Sequence, residues 1–246
     1  MNLRCAIIEA MKKRSILIGL FLLLLLLVSC QKQEEIIEEA EEENSDIEEV
    51  IEEKDSELQD FYDAYKAINA DYAGFFTMEN GSIHEPCVFA LDDSWEPLKL
   101  DLEGKEDSQG TVTVDFENSR ELDDQNITLY GHYVYYDENA KFTPLEKLLE
   151  EENYEAYKNF SFQTRDEIRN YTVAYVYYYH METDKNIPYY VANLGEAYAY
   201  YFDYLEEAKL YDTGIHLSCD DEIMTLQTCV RNHDELREII VAKRVK

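Results

Sequence analysis

The chain has 246 residues, and its 54 acidic residues against 22 basic ones give a formal net charge of −32. Nucleic-acid binding requires a basic face for the phosphates, so this charge excludes that class of function. With eight Gly and four Pro but 21 Tyr, the composition also excludes a collagen-like or wholly disordered chain. About 190 residues have a globular composition, which predicts one domain with a sizeable hydrophobic core.

The first 30 residues have the pattern of an export signal. Lys12-Lys13-Arg14 forms a positive segment, and residues 16–28 are a nearly unbroken apolar run that ends at Ser29-Cys30. The end of this leader, Leu27-Val28-Ser29-Cys30, resembles a bacterial lipobox, in which the cysteine is lipidated. The alternative is an uncleaved signal anchor, although the run is slightly short for a span of roughly 20 apolar residues. Both interpretations place the rest of the chain outside the membrane and tethered to it.

Residues 31–57 form a run dominated by glutamate, which we interpret as an acidic linker. Blocks of like charge stay solvated and extended, so a spacer that holds the domain away from an anionic membrane is favoured over an acidic binding tail. The globular domain is predicted to span residues 58–246.

The domain pattern begins with a helix near Ser56, whose apolar positions from Leu58 to Ile68 recur at helical spacing and which is predicted to end at Asn69. Short strand patterns follow, separated by turn residues such as Asn80-Gly81. The predicted strands are residues 73–78, 83–90, 111–116, 127–130, 172–179, 189–192, 213–219, 223–229 and 237–245, and the inserted helices are residues 145–157 and 194–210. Many short strands with few helices favour a mainly β fold, a β-barrel rather than a doubly wound sheet.

Cys229 ends one predicted strand, and Arg237 starts the next. A thiol beside a fixed positive charge is the arrangement that a reactive thiolate needs. The competing interpretation is a buried core thiol, since free cysteine is among the most buried residue types. If Asp220-Asp221 is a hairpin turn, Cys219 lies more than about 20 Å from Cys229, too far for a disulfide. Bridges from Cys87 to either cysteine stay open, and an odd count leaves at least one thiol free.

Five histidines are candidates for the proton partner of this cysteine. His132 follows the strand pattern of residues 127–130, and strand ends are places where sites are often built. His216 would lie opposite Thr225 in the proposed hairpin, and His233 follows Cys229 in a predicted loop and is the strongest rival. His84 and His180 have no distinguishing context, and spacing alone favours His132 only slightly.

The combination of these motifs resembles the sortases, the cysteine transpeptidases of Gram-positive cell surfaces. Residues 225–229, Thr-Leu-Gln-Thr-Cys, match the TLxTC signature of that family, and Arg237 and Tyr130-Gly131-His132 resemble the segments that carry its arginine and histidine. Residues 69–76, residues 210–214 and the helix before the cysteine strand point to class B. The resemblance covers residues 58–245 and implies a closed barrel of about eight strands with an N-terminal helix and an extra helix before the cysteine-bearing strand.

The resemblance also implies roles for individual residues. Cys229 would attack a threonine carbonyl in a C-terminal sorting motif and form a thioacyl enzyme, and His132 would act as acid and then base. Arg237 would orient the substrate and stabilise the oxyanion, with the Thr228 hydroxyl or a backbone N–H as a further donor. The predicted substrate-binding residues are Thr228, Leu226, Tyr190 and Val191, with barrel packing as the alternative for the last two. Tyr133 and Val230 depart from the usual class B residues, Asn and an acidic residue, which leaves substrate preference open.

The implied partners are secreted proteins with a sorting signal and the amine of a peptidoglycan precursor or a pilin lysine. The expected location is the extracellular face of a bacterial cytoplasmic membrane, with lipidation at Cys30 or a helical anchor, and no metal or cofactor is required. Two alternatives stay open: a non-catalytic acidic surface lipoprotein that uses a sortase-like barrel to bind peptides or cations, and a cysteine protease that releases peptides by hydrolysis.

Overall fold

The computed structural model describes residues 55–245, and residues 55–246 group into one compact unit. The predicted leader and the acidic linker as far as residue 54 lie outside the described residues. Within the part described, the helices are all too short or too polar to cross a membrane.

The described chain contains eight strands and three α-helices. Helix α1 covers residues 55–68, as predicted, α2 is the single turn Tyr154–Tyr157, and α3 is Ala197–Ala208. The strands are β1 (Tyr72–Met78), β2 (His84–Phe89), β3 (Val112–Val114), β4 (Asn126–Tyr130), β5 (Asn159–Gln163), β6 (Ile168–His180), β7 (Ile223–Val230) and β8 (His233–Val245). Three 3-10 segments are Glu96–Lys99, Thr143–Leu149 and Glu151–Asn153.

The strands form a closed barrel in the order β1-β2-β3-β4-β7-β8-β6-β5, which confirms the predicted eight-stranded, mainly β fold. The β2–β3 and β4–β7 pairs are parallel, and the other pairs are antiparallel. Closure removes the free sheet edges, which are otherwise open to pairing with other chains.

Alternation along the strands divides the buried residues into two clusters. One fills the barrel with aliphatic and phenyl side chains, including Phe76, Phe142, Phe162, Leu129 and Leu226. The other is rich in tyrosine and packs one wall of the barrel against α3, with contributions that include Tyr177, Tyr198, Tyr201 and Leu205. The abundant tyrosines are therefore largely structural.

Two predicted strands are absent from the described chain. Residues 213–219 are an irregular segment, because both edges of β7 are occupied by β4 and β8 and no free edge remains. The proposed hairpin around Asp220-Asp221 is therefore wrong, and Thr225 lies opposite Thr128 and Val241 rather than His216. Residues 189–192 are irregular, with a turn at Tyr189 and Tyr190, and the Asn126 side-chain amide donates to the carbonyls of Tyr189 (2.8 Å) and Val191 (3.2 Å).

Three further elements differ from the sequence predictions: a helix that is broken, a strand that was not predicted and a strand that begins earlier. The helix predicted at residues 145–157 is broken, because Glu150 adopts an extended conformation between short helical segments. Strand β5 was missed, although Phe160 and Phe162 alternate with polar residues and point into the core. Strand β8 begins at His233 rather than Arg237, because Arg231 and Asn232 form a two-residue turn in which Asn232 has a φ of 61°.

Candidate active site

The parallel pairing of β4 and β7 brings two candidate catalytic residues to the same end of the barrel. Tyr130 lies opposite Gln227, and the Gly131 amide donates to the Gln227 carbonyl at 3.1 Å. His132 and Cys229 are each two residues further along, where strands that point the same way end together. Both residues are half-buried.

Gly131 is required by the close approach of this strand end to the core. A Cβ atom at this position would lie 2.5 Å from Cγ of Phe142, whose side chain is fully buried. The Phe142 amide also donates to the His132 carbonyl at 3.2 Å. The backbone of the histidine is thus held against the barrel core from one side and against β7 from the other.

Cys229 and Arg237 are direct cross-strand partners in the antiparallel β7–β8 pair. The thiol of Cys229 is free, as are those of Cys87 and Cys219, so the disulfides left open by the sequence are absent among the described cysteines. One terminal nitrogen of Arg237 donates to the carbonyls of Asp234 (2.9 Å) and Leu236 (2.8 Å), which anchors the guanidinium near the turn. The pairing places an arginine directly across the two strands from a residue with a free thiol.

The His132 ring contacts the backbone of the β2–β3 connection. Its Nε2 atom lies 2.8 Å from the Leu98 carbonyl oxygen. Because a carbonyl oxygen can only accept, this hydrogen bond requires a proton on Nε2. The contact orients the ring.

A cleft of about 490 Å³ opens beside Arg237. Its walls are mainly aromatic, and Asp115 and Glu117 add carboxylates on one side. The lining residues are Trp95, Leu98, Asp115, Phe116, Glu117, Tyr130, Tyr179, Met181, Tyr189, Tyr190, Gln227 and Arg237. A second, wider groove of about 910 Å³ is lined by His132 and Leu98. Arg237 and His132 thus line different grooves that share Leu98, and the aromatic cleft beside Arg237 is suited to an extended peptide with apolar side chains.

Two short hydrogen bonds fix the floor of the aromatic cleft. The Tyr130 hydroxyl donates to Asp115 Oδ2 at 2.6 Å, and the Tyr189 hydroxyl donates to Gln227 Oε1 at 2.5 Å. Burial raises the pKa of the Asp115 carboxyl, and the hydrogen bonds from Tyr130 and the Glu117 amide oppose this shift. These contacts hold the side chains next to the catalytic end in one arrangement.

The predicted substrate-binding residues divide into two groups. Tyr190 lines the cleft, and Val191 is half-buried against the tyrosine-rich cluster. Leu226 and Thr228 are instead buried, and their side chains point into the barrel, on the opposite face of β7 from Cys229. Because side chains alternate along a strand, the Thr228 hydroxyl points away from the cleft and cannot contact an oxyanion there.

The rival residues lie away from this site or have other partners. His216 is exposed and bonds Glu206 at 3.1 Å, and His233 lies in β8 rather than in a loop and contacts Glu235 at 3.4 Å. The sequence patterns did not indicate that Leu98 contacts His132 or that Leu98 and Trp95 line the aromatic cleft. The only available signal was that Trp95 is the single tryptophan of the chain.

Comparisons with known proteins place this geometry in context. The chain is 28% identical over 190 residues to sortase B of Staphylococcus aureus, and the alignment covers 75% of each protein. It is 26% identical over 194 residues to sortase B of Listeria monocytogenes, with 77% of this chain and 76% of that protein covered. The fold is similar to the X-ray structure of Clostridium perfringens sortase B, with a TM-score of 0.67, 25% identity, and coverage of 75% of this chain and 99% of that one. No protein-family model matches the chain.

Proposed function

We propose that this chain, for which the similarities support a sortase-type transpeptidase, is a class B sortase with Cys229, His132 and Arg237 as its catalytic residues. The observation that carries the proposal is their placement. Cys229 and Arg237 are cross-strand partners, and His132 lies two residues past the end of β4, the parallel neighbour of β7. The proposed substrates are secreted proteins with a C-terminal sorting motif.

The first half-reaction starts with Cys229 as a thiolate and His132 protonated, and the Cys229 sulfur forms a bond to the carbonyl carbon of a threonine in the sorting motif. The carbonyl oxygen becomes an oxyanion in the tetrahedral intermediate, and in this proposal the guanidinium of Arg237, the cross-strand partner of Cys229 on β8, stabilises that charge. The carbon–nitrogen bond then breaks as His132 gives a proton to the departing amine. The product is a thioester between Cys229 and the threonine.

In the second half-reaction, an amine attacks the thioester carbonyl. Neutral His132 accepts a proton from the incoming amine, and the sulfur leaves as a thiolate. The hydrogen bond from Nε2 to the Leu98 carbonyl keeps the ring in one orientation through both steps. The proposed acceptor is the amine of a peptidoglycan precursor or a pilin lysine, and hydrolysis would replace it with water.

The proposed cellular location follows from the sequence pattern. A cleaved, lipidated leader ending at Cys30 or an uncleaved signal anchor would tether the domain to the outer face of a bacterial cytoplasmic membrane. Secreted substrates and cell-wall precursors meet at that face. Residues 31–57 would then act as the spacer.

The test is cleavage of a sorting-motif peptide library by the full-length protein, with and without an added amine, followed by mass analysis of the products. We expect an amide product with the amine present, complete loss of turnover in Cys229→Ala, and at least about 100-fold losses in His132→Ala and Arg237→Ala. Cys219→Ala removes an exposed thiol outside the site and is the matched control. Full activity in Cys229→Ala would end the proposal, and release of acid products only would identify a hydrolase.

A further inference from the structure

Glu238 is an acidic residue in the row of β8 side chains that faces the barrel core. It is 1% exposed, and the next inward residues on the strand, Ile240 and Ala242, belong to the apolar core. Alternation along a strand predicts an apolar residue at such a position. Neither the catalytic mechanism nor the packing of the barrel accounts for a carboxyl group there.

The carboxyl group of Glu238 has no hydrogen-bond donor among the described residues. Both of its oxygens are buried and unpartnered. Its cross-strand neighbour on β7 is Thr228, whose hydroxyl is also buried and unpartnered. An ionised carboxylate without donors is strongly disfavoured in an apolar interior, whereas the neutral acid carries a proton that it can donate.

The groups that face Glu238 from the neighbouring elements do not supply a positive charge. Glu146 lies on the 3-10 segment Thr143–Leu149, Tyr178 lies opposite on β6, and Tyr211 follows α3. Burial is the main cause that raises the pKa of both tyrosines, and Glu238 is a smaller cause in each. Burial is the main cause that raises the pKa of Glu238, to about 8, and the charge of Glu146 raises it further. Neutral Glu238 is thus the form that suits its surroundings at physiological pH.

The position of Glu238 couples its charge to the candidate active site. The Thr228–Glu238 pair on the inner face of the barrel is adjacent in both strands to the Cys229–Arg237 pair on the outer face. A charge that draws water or forces the inner pair apart would also move the outer pair, because both belong to one two-stranded ladder.

We propose that Glu238 is a positioning residue that works as a neutral acid: its ionisation disturbs the β7–β8 pair and displaces Cys229 from Arg237. This inference rests on the proposed transpeptidase function. It adds an upper pH limit to activity that is set inside the barrel, separately from the protonation of the thiol and the histidine.

The test compares the pH profiles of kcat/KM for the full-length protein and its Glu238→Gln variant, from pH 5 to pH 10, with a sorting-motif peptide. Glutamine keeps the shape of the neutral acid and cannot ionise. A group with a pKa of about 8 is about one-tenth protonated at pH 9. We therefore expect the variant to retain about tenfold more of its maximal activity at pH 9 than the unsubstituted protein, with the acidic limb unchanged. The matched control is Glu235→Gln, because Glu235 is an exposed glutamate on the same strand. This substitution should not change the pH profile of kcat/KM.

Superimposable profiles of Glu238→Gln and the unsubstituted protein would overturn the inference, since a merely structural role lowers the rate equally at every pH.

Thermal unfolding is a second readout that does not depend on activity. The unfolding midpoint of Glu238→Gln relative to the unsubstituted protein should increase from pH 5 to pH 8, and a constant difference would refute the inference. If no peptide is cleaved by any variant, the proposed function fails while this unfolding comparison still decides the state of Glu238. Glu238→Leu replaces Glu238→Gln in both experiments if the glutamine variant does not fold.

Discussion

At the scale of single residues, the candidate site depends on how closely strand β4 approaches the core. Gly131 leaves room for the Phe142 ring. The Gly131 amide donates to the Gln227 carbonyl, and the Phe142 amide donates to the His132 carbonyl, so the backbone around His132 is held on both sides. The position of His132 is therefore set by the packing of Gly131 against Phe142 as well as by the hydrogen bond of its own ring to Leu98.

Gly131→Ala tests this packing. The new methyl group would overlap the Phe142 ring, so we expect the free energy of unfolding to fall by about 1–3 kcal/mol and kcat/KM to fall by about 10- to 100-fold as His132 shifts. Denaturant unfolding and peptide cleavage measure the two effects. The control is Gly131→Ala combined with Phe142→Ala, which removes Cγ and the whole ring from the contact. The double variant should lose less stability than the sum of the single losses, and strict additivity would contradict the proposed overlap.

At the scale of elements, β8 is the strand on which the barrel depends most. It pairs with β6 from Leu236 to Val245 and with β7 along the whole length of that strand. Near its end, Arg244 donates to Glu222 at 2.6 Å and to Glu167, and Glu167 also accepts from Arg169 at 2.6 Å. This ion-pair network links β8 to the segments that enter β7 and β6.

Arg244→Met tests the network and keeps the apolar stem of the side chain. The Arg244 side chain is only 20% exposed, so we expect the free energy of unfolding at pH 7 to fall by about 1–3 kcal/mol in urea titrations. The control is Arg165→Met, because Arg165 is 48% exposed and contacts Asp63 at 3.4 Å. It should change stability by no more than about 0.5 kcal/mol. Equal losses in the two variants would show that the network contributes nothing specific.

The stability effect of Arg244→Met has a defined pH dependence. Burial raises the pKa of Glu167, but hydrogen bonds and charges from Arg169 and Arg244 outweigh it and lower the pKa below its usual value. A lowered pKa means stability that is present above the unfolded value and is lost as pH falls through the folded value. The difference between Arg244→Met and the unsubstituted protein should therefore shrink below about pH 4.5.

At the scale of the whole molecule, the net charge of −32 opposes compactness through self-repulsion. Raising NaCl from about 50 to about 500 mM screens this repulsion, so we expect the thermal midpoint of the full-length protein to rise by about 3 °C at pH 7. The control is the same salt series near pH 4.3, the sequence isoelectric point, where the net repulsion vanishes. A midpoint that falls with salt at pH 7 would mean that ion pairs, rather than repulsion, dominate.

The strands that sequence patterns predicted correctly are short runs of apolar, aromatic and β-branched residues bounded by turn residues. Strands β1, β2 and β7 appear near their predicted positions for this reason, and β1 and β7 are buried on both faces. Residues 189–192 and 213–219 also look like strands, yet they find no open edge in a closed barrel. Whether a strand-like segment pairs depends on partners that are distant in sequence, and local propensity does not contain that information.

The sequence by itself determined the mainly β class and the export pattern, because these follow from local periodicity and charge. The closed eight-stranded barrel and the trio of Cys229, His132 and Arg237 were predicted from the resemblance that the short motifs around these residues carry. Tertiary structure decided the rest. The parallel pairing of β4 with β7 brings together the ends of strands that are nearly 100 residues apart, and it replaces the hairpin that local turn residues suggested. Strand alternation turns Thr228 and Leu226 into the barrel and places Glu238 in an apolar core row. Long-range pairing sets these orientations, since a shift of one residue in register would turn every side chain to the other face.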